Sequence, residues 1–199
     1  MNVIRTLALL FGLIAGTASA ATVHTAIFAG GCFWCMQEAF DKVPGVVATT
    51  AGYTGGHLPN PTYKQVSAGG TGHAESIRIE FDPDKTSYQK LLDAFWHNID
   101  PTVKDQQFCD HGYQYRSAIF YEDAEQKRLA EASKKKLEAS GRFKGPIYTE
   151  IVPAGKFYPA EAYHQEYYRK NPVRYNYYHW ACGRAARLKE LWGNQAGDQ

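Results

Sequence analysis

Cys32 and Cys35 lie three positions apart in GGCFWC, with two aromatic residues between them and two glycines in front. Cysteine pairs at this spacing bind zinc, close disulfides or carry out redox chemistry. The sequence changes here from β-prone to helix-prone, so Cys32 is predicted at the first turn of a helix and Cys35 one turn inside. Free N–H groups and the helix dipole at that turn favour thiolate over thiol. We therefore expect Cys32 to be the better nucleophile.

The spacing of this cysteine pair also fits three further roles. A structural zinc site needs two more ligands, which Cys109 and His111 supply only if folding brings them close, because a second pair at short spacing is absent. Both cysteines also fit as small buried hydrophobic residues. A thiol–disulfide exchanger of the thioredoxin type is a further alternative.

Glu75 is the strongest candidate for an acid. In HAESIRIEFD, residues 73–82, it alternates in phase with the apolar residues Ile77, Ile79 and Phe81, so a strand places it on the apolar face. A carboxyl group there loses hydration, its pKa rises, and it stays protonated to act as a proton donor. The alternative is that the strand leaves the core at Glu75 and its carboxylate meets water or a base.

Five further residues could belong to the same site. Asp110 and Tyr115 lie in DHGYQYRS, where a loop enters a predicted strand, and Tyr63 closes a glycine-rich loop in NPTY. Phe33 and Trp34 adjoin Cys32 and are candidates for a pocket wall. With fourteen tyrosines in the chain, each aromatic residue taken alone fits a packing role equally well.

Hydrophobic periodicity predicts the elements that must position these residues. We predict an α+β fold, a two-layer sandwich with a mixed or antiparallel sheet, a ferredoxin-like kernel and covering helices. The predicted strands are residues 22–29, 46–53, 73–82, 113–121 and 147–153. The predicted helices are residues 33–43, 87–99, 123–141 and 159–170. From about residue 171 the chain is predicted to be an irregular tail.

The first twenty residues resemble a secretory signal peptide. Arg5 precedes an apolar run over residues 7–14, and small residues end the segment at Ala20. We expect cleavage after residue 20 and export of a single catalytic domain, residues 21–199. That apolar run is too short to span a membrane, so no membrane insertion is expected.

Composition limits the remaining possibilities. The net charge of +2 gives no reason to expect a nucleic-acid surface. Four cysteines are few for a disulfide-stapled scaffold of 199 residues, so a hydrophobic core is expected and the thiols are available for chemistry.

Taken together, the motifs GGCFWC, AGYTGG with NPTY, TGHAE, CDHGYQYRSAIFY and AEAYHQEYYRKNP resemble the peptide methionine sulfoxide reductase A family. The resemblance runs from about residue 26 to residue 172. It implies reduction of methionine S-sulfoxide, free or in proteins, to methionine through a cysteine sulfenic acid and an intramolecular disulfide, which repairs oxidised proteins. The alternative from another class is an exported CxxC thiol–disulfide oxidoreductase.

The resemblance also implies roles for individual residues. Cys32 matches the nucleophile, and Glu75 matches the acid that protonates the sulfoxide oxygen. Tyr63 and Tyr115 match two phenols that hydrogen-bond this oxygen. Phe33 and Trp34 match the aromatic walls around the S-methyl group of the substrate. Asp110 matches a residue that orients the substrate's backbone or the hydrogen-bond network around it.

The cysteine that resolves the sulfenic acid is less well determined by the resemblance. Many members have glycine at the position of Cys35 and asparagine at that of Cys109. In the family the usual partner comes from the C-terminal segment, so Cys182 is the first choice. Cys35, one helical turn away, is the local alternative, and Cys109 is the third.

A disulfide product must be reduced before the next turnover, so the resemblance implies a thioredoxin-like reductant outside the cytoplasm. No metal, nucleotide or flavin cofactor is implied. We expect a monomer, exported, and periplasmic if the source is Gram-negative.

Overall fold

The computed structural model describes residues 22–197, and a six-stranded sheet forms its centre. The eight strands are β1 (His24–Gly30), β2 (Val46–Thr54), β3 (Ala74–Phe81), β4 (Gln106–Gln107), β5 (Asp110–His111), β6 (Ser117–Tyr121), β7 (Glu150–Pro153) and β8 (Tyr158–Pro159). The large sheet has the order β7-β6-β1-β3-β2-β8, and β4 and β5 form a separate hairpin. Its neighbouring strands are antiparallel except β6 and β7, which are parallel. The predicted mixed sheet is confirmed.

Seven helices surround the sheet in the described part of the chain. They are α1 (Phe33–Asp41), α2 (Tyr63–Ser67), α3 (Tyr88–His97), α4 (Ala124–Ala139), α5 (Tyr167–Lys170), α6 (Pro172–Ala181) and α7 (Arg184–Trp192). Single 3-10 turns occur at Tyr113–Tyr115 and Gly193–Gln195. Side-chain caps fix three helix starts: Thr62 accepts from the Gln65 N–H at 3.4 Å, Ser87 from the Lys90 N–H at 3.3 Å, and Asp123 from the Gln126 N–H at 2.8 Å.

Apart from the short helix α2 and the β4–β5 hairpin, the central strands and helices follow the chain order β1, α1, β2, β3, α3, β6. These four strands lie side by side as β6-β1-β3-β2. This arrangement is compatible with the predicted ferredoxin-like kernel.

The main core lies between this sheet and the helices. Phe28 of β1 is fully buried there, and its ring stacks on Phe40 at 5.4 Å, Phe95 at 5.1 Å and Tyr88 at 5.9 Å. A smaller apolar cluster that includes Ile27 is formed by residues pointing the other way. The alternation along β1 therefore supplies both clusters.

The prediction of an irregular segment from about residue 171 is wrong for its described part. Residues in this region form α6 and α7, and α7 buries Leu188 and Trp192 in the main core. The Trp192 indole N–H donates to the Ile99 carbonyl at 2.9 Å. Gly183, with φ +66°, interrupts the helical backbone between α6 and α7. Four aromatic residues in α6, two of them exposed, obscured its periodicity in the sequence.

Smaller differences concern loops. The glycine-rich loop contains α2, and the loop before residue 113 contains the β4–β5 hairpin. The predicted helix over residues 159–170 is a helix only at α5, and the predicted strand over 113–121 begins with a 3-10 turn.

The predicted signal peptide, residues 1–20, lies outside the described residues. Among the described helices, none has the length and apolar character needed to cross a bilayer.

Candidate active site

The turn between β1 and α1 places Cys32 at the start of a helix. Cys32 is the N-cap residue of α1, and its carbonyl accepts from the Met36 N–H at 3.2 Å. Gly31, just before it, has φ +84°, and a Cβ there would lie 2.5 Å from Cβ of Gln107. Only glycine fits this turn without strain, since both the backbone angle and the space exclude a side chain.

Eight residues from six parts of the fold line one pocket beside this turn. They are Cys32, Phe33, Trp34, Tyr63, Glu75, Asp110, Tyr115 and Tyr178. The structure thus brings together seven of the residues singled out from the sequence. The pocket volume is about 50 Å³, far below the roughly 300–1,000 Å³ of pockets for drug-sized ligands. It suits the end of a side chain.

Glu75 is buried, at 2% exposure, and stands next to the helix start. Its Oε2 accepts from the backbone N–H of Phe33 at 3.0 Å. Burial raises the pKa of Glu75 to about 8; this N–H opposes the rise, and Asp110 and Cys35 add to it. The carboxyl group is therefore protonated near neutral pH, and the alternative of a solvated carboxylate does not hold.

Tyr63 and Tyr115 approach the pocket from separate elements. Tyr63 is the first residue of α2, and its N–H donates to Glu161 at 2.8 Å, whereas Tyr115 ends a 3-10 turn. Burial, with Glu75 the next cause, raises the pKa of both phenols above their usual range. Both therefore keep their O–H donors at any physiological pH.

Cys32 and Cys35 are both free and buried, and their thiol groups hydrogen-bond each other. The hydrogen bond from Cys32 lowers the pKa of Cys35 to about 7, against burial and with help from Arg184 and His179. Burial, and then the bond to Cys35, raises the pKa of Cys32. The first negative charge of the pair near neutral pH is therefore best stabilised on Cys35, and the assignment of Cys32 as the better nucleophile stays a prediction.

Cys109 and Cys182 form a disulfide with a Cα–Cα distance of 5.0 Å. The structure therefore pairs Cys182 with Cys109 and leaves Cys32 and Cys35 as a second pair. In the zinc alternative Cys109 is a thiolate ligand, but here its sulfur is bonded to Cys182. Within residues 22–197 the one cluster of potential metal ligands is Cys109, Asp110 and Cys182, which contains this disulfide.

Tyr178 is a site residue that sequence reasoning missed. It lies on α6, and its phenol O–H donates to Oδ2 of Asp110 across the pocket. Burial raises the pKa of Asp110, and the Tyr178 bond opposes that rise. No helix or strand was predicted beyond about residue 171, so residue spacing could not connect Tyr178 with the pocket.

His164 was also missed, although it lies within the motif AEAYHQEYYRKNP. It is buried, and its Nδ1 accepts from the Trp34 indole N–H at 3.0 Å. Its ring lies 4.2 Å from that of Tyr63 and 5.1 Å from that of Phe33. Burial lowers the pKa of His164, so the imidazole is neutral and can accept this bond. His164 thus fixes three pocket side chains from behind.

Comparison with known proteins gives the same family at the level of sequence. The profile of the family described as peptide methionine sulfoxide reductase matches residues 24–196. The peptide methionine sulfoxide reductase MsrA of Bacillus licheniformis is 53% identical over 174 residues, 87% of this chain and 96% of the relative. The enzyme of the same name from Bacillus subtilis is 54% identical over 168 residues, 84% of this chain and 95% of the relative.

Solved structures show the same relationship. Methionine sulfoxide reductase A of Corynebacterium diphtheriae superposes with a TM-score of 0.69 at 36% identity, covering 78% of each chain. Reduced Mxr1 of Saccharomyces cerevisiae superposes with a TM-score of 0.72 at 31% identity, covering 81% of this chain and 93% of that one. Mxr1 in complex with Trx2 superposes with a TM-score of 0.53 at 20% identity, covering 77% of this chain and 91% of that one. This match shows a similar fold. The chain belongs to the peptide methionine sulfoxide reductase family.

Proposed function

We propose that this chain reduces the S epimer of methionine sulfoxide, free or in proteins, to methionine, with Cys32 as the nucleophile. Family membership makes it an oxidoreductase of protein repair. The observation that supports the assignment of residues is the meeting of Cys32, Glu75 and two phenols in one small pocket. The choice of epimer rests on the family resemblance.

The first step needs a thiolate on Cys32, and Cys35 is placed to generate it. The Cys32 thiol donates its hydrogen bond to the Cys35 thiolate, whose pKa is about 7. Transfer of this proton along the bond leaves the charge on Cys32 as the sulfoxide arrives. Cys35 therefore acts as the base.

The Cys32 thiolate then attacks the sulfoxide sulfur, and the protonated carboxyl group of Glu75 gives its proton to the oxygen. The hydroxyl group then moves from the substrate sulfur to the Cys32 sulfur as the new sulfur–sulfur bond breaks, so the enzyme sulfur becomes a sulfenic acid and methionine leaves as the thioether. Tyr63 and Tyr115 donate hydrogen bonds to the oxygen as it gathers charge, an effect often worth about 3 kcal/mol per donor.

The aromatic residues at the helix start would receive the substrate's methyl group. Phe33 is buried and Trp34 half-buried, and both line the pocket beside Cys32. Aromatic faces also favour a sulfur that becomes partly cationic on protonation of its oxygen. Asp110, held by Tyr178, orients the substrate or the hydrogen bonds around it.

We assign the resolving role to Cys35, and not to Cys182 as the resemblance favours. The Cys35 thiol is already in contact with Cys32, whereas the Cys182 sulfur is bonded to Cys109. Attack of Cys35 on the sulfenic sulfur forms a Cys32–Cys35 disulfide and releases water. A CxxC pair at a helix start can close such a bond, as thioredoxin-like proteins do.

A thioredoxin-like dithiol protein would then return the disulfide to two thiols; the yeast relative Mxr1 has been solved with Trx2. No metal, nucleotide or flavin takes part in this scheme. The signal-like residues 1–20 support export, to the periplasm if the source is Gram-negative, and we propose that the protein works there as a monomer.

A single-turnover assay tests the function. Protein carrying the Cys109–Cys182 disulfide receives methionine S-sulfoxide without reductant, and methionine and disulfide-linked peptides are counted by mass spectrometry. One methionine per chain and a Cys32–Cys35 peptide are expected. A Cys32–Cys182 peptide would keep the reaction but return the resolving role to the tail. If folded protein with free Cys32 yields no methionine, the reductase proposal fails and a general oxidoreductase takes its place.

A further inference from the structure

The short helix α2 carries Tyr63 but makes few core contacts of its own. It runs from Tyr63 to Ser67, and Val66 is its one buried residue in the structure. A helix of five residues is too short to be stable by itself, so its placement depends on contacts with the rest of the fold. A Cβ on either of the glycines that follow it, Gly69 and Gly70, would meet nothing within 4 Å. The chain after α2 therefore does not hold the helix in place.

Two hydrogen bonds anchor the two ends of α2. At its N-terminal end, the N–H of Tyr63 donates to Oε1 of Glu161 at 2.8 Å. The last carbonyl groups of a helix lack partners within it. In α2, the carbonyl of Ser67 accepts a hydrogen bond from Nε2 of Gln114 at 3.1 Å. Gln114 thus holds the end of the helix that Glu161 does not reach.

Gln114 lies directly before Tyr115 in the 3-10 turn that this tyrosine ends. Its side chain is buried, and Gly112 leaves room for it. Gly112 has φ +131°, and a Cβ there would lie 2.5 Å from Oε1 of Gln114. One hydrogen bond therefore joins the turn that carries Tyr115 to the helix that begins with Tyr63.

Arg116, on the other side of Tyr115, anchors the same turn to the large sheet. Its Nη1 donates to the carbonyl of Tyr113 at 3.0 Å, and its Nε donates to Oε2 of Glu150 on β7 at 3.2 Å. The guanidinium group is buried and lies 3.8 Å from the centroid of the Tyr113 ring. Because these contacts fix the turn, α2 is the element that moves when the bond from Gln114 is lost.

The distance between the two phenols matters for the proposed reaction. Tyr63 and Tyr115 line the same small pocket, and both O–H groups must reach one sulfoxide oxygen. Hydrogen bonds weaken steeply outside a narrow range of distance and angle. Donors that are fixed before the reaction also stabilise developing charge better than donors that must first move. A residue that fixes the separation of these phenols therefore affects the rate without touching the substrate.

We propose that Gln114 is a positioning residue for sulfoxide reduction, and that it sets the distance between the phenol O–H groups of Tyr63 and Tyr115. The inference rests on the proposed function, in which both phenols donate to the sulfoxide oxygen. Gln114 is not among the described residues that line the pocket. It acts on the reaction through the two tyrosines.

Gln114→Met tests this role, because it removes the amide group and keeps the length of the side chain. Single-turnover methionine formation should be about 10–100-fold slower than in the wild type, since displacement of a reacting group by about 1 Å has effects of up to 10²-fold. The melting temperature should fall by only about 2–4 °C, because water can reach the carbonyl of half-buried Ser67. Alkylation of Cys32 by iodoacetamide should proceed as in the wild type.

The same substitution in a Tyr63→Phe, Tyr115→Phe protein distinguishes positioning from general support of the fold. Without the two O–H groups there is no donor distance to set, so Gln114→Met should change the rate of this protein by less than about twofold. The assay needs no reductant, so long incubations measure slow rates as well. An equal loss of rate in both backgrounds would overturn the positioning role.

Gln126→Met is the matched control for the loss of an amide-to-carbonyl hydrogen bond between two elements. Nε2 of Gln126 donates to the carbonyl of Thr25 at 2.8 Å, which joins α4 to β1. This variant should keep the wild-type rate of methionine formation. A rate for Gln114→Met equal to that of the control would overturn the proposal.

Gln114→Ala is a second variant without the amide group and should show the same loss of rate in the presence of both phenols. If neither variant of Gln114 folds, this residue supports the fold as a whole and the positioning role is overturned. Absence of methionine from the folded wild type would instead contradict the proposed function itself.

Discussion

The backbone N–H of Phe33 donates a 3.0 Å hydrogen bond to Oε2 of Glu75, 42 positions further along the chain. This bond joins the helix start that carries Cys32 to the strand that carries the acid. The bond opposes the rise in the Glu75 pKa, yet burial outweighs it and the pKa reaches about 8. The acid is thus held in place without losing its proton at neutral pH.

Glu75→Gln should lower single-turnover methionine formation by about 10²–10⁴-fold at pH 7, the usual contribution of a general acid. The glutamine carbonyl can still accept from the Phe33 N–H, so the pocket should keep its shape. Alkylation of Cys32 by iodoacetamide should therefore proceed as in the wild type. Glu80→Gln, on the same strand and half-buried, is the control and should leave the rate unchanged. An unchanged rate in Glu75→Gln would remove Glu75 from the mechanism.

The same substitution should change how stability depends on pH. The folded-state pKa of Glu75, about 8, lies above the unfolded value near 4.5. Between these values the folded chain holds a proton that the unfolded chain releases, so the free energy of unfolding falls as pH rises. Glutamine does not titrate, so this loss is absent from the variant.

Urea unfolding at pH 5 and pH 9 measures this difference. The stability of Glu75→Gln relative to the wild type should increase by at least about 2 kcal/mol between these pH values, since each pKa unit corresponds to about 1.4 kcal/mol. Titrating groups that do not interact with Glu75 are common to both proteins and cancel. A constant difference would mean that Glu75 ionises normally in the folded state.

The alternation of β3 shows why much of the site was predictable. Glu75 shares its face with Ile77 and Ile79, both fully buried, so period-two reasoning placed its carboxyl group correctly. The change from β-prone to helix-prone sequence at Gly31 likewise located Cys32 at a helix start. Strong local periodicity decided both cases.

Contacts between distant segments were not predictable from local pattern. The Tyr178 bond to Asp110 spans 68 positions, and the Cys109–Cys182 disulfide spans 73. Both depend on α6, whose exposed aromatic residues concealed its period. The sharing of charge between Cys32 and Cys35 also depends on the positions of their side chains, which cannot be read from the spacing of the two residues in the sequence.

Gly31 offers a test of how precisely the turn must place Cys32. A Cβ at this position would meet Cβ of Gln107, which cannot move away because its amide group is fixed by two hydrogen bonds to the backbone of Asp100, at 2.7 and 2.9 Å. The turn must therefore shift to accept any side chain.

Gly31→Ala should reduce the single-turnover rate about 10²-fold, because displacement of a reacting group by about 1 Å has effects of this size. It should also reduce the free energy of unfolding by about 1–3 kcal/mol. Gly69→Ala is the matched control: Gly69 has the same φ of +84°, but a Cβ there meets nothing within 4 Å. The control shares the backbone strain and should keep the wild-type rate. If both variants lose activity equally, or if neither does, crowding at Gln107 does not position Cys32.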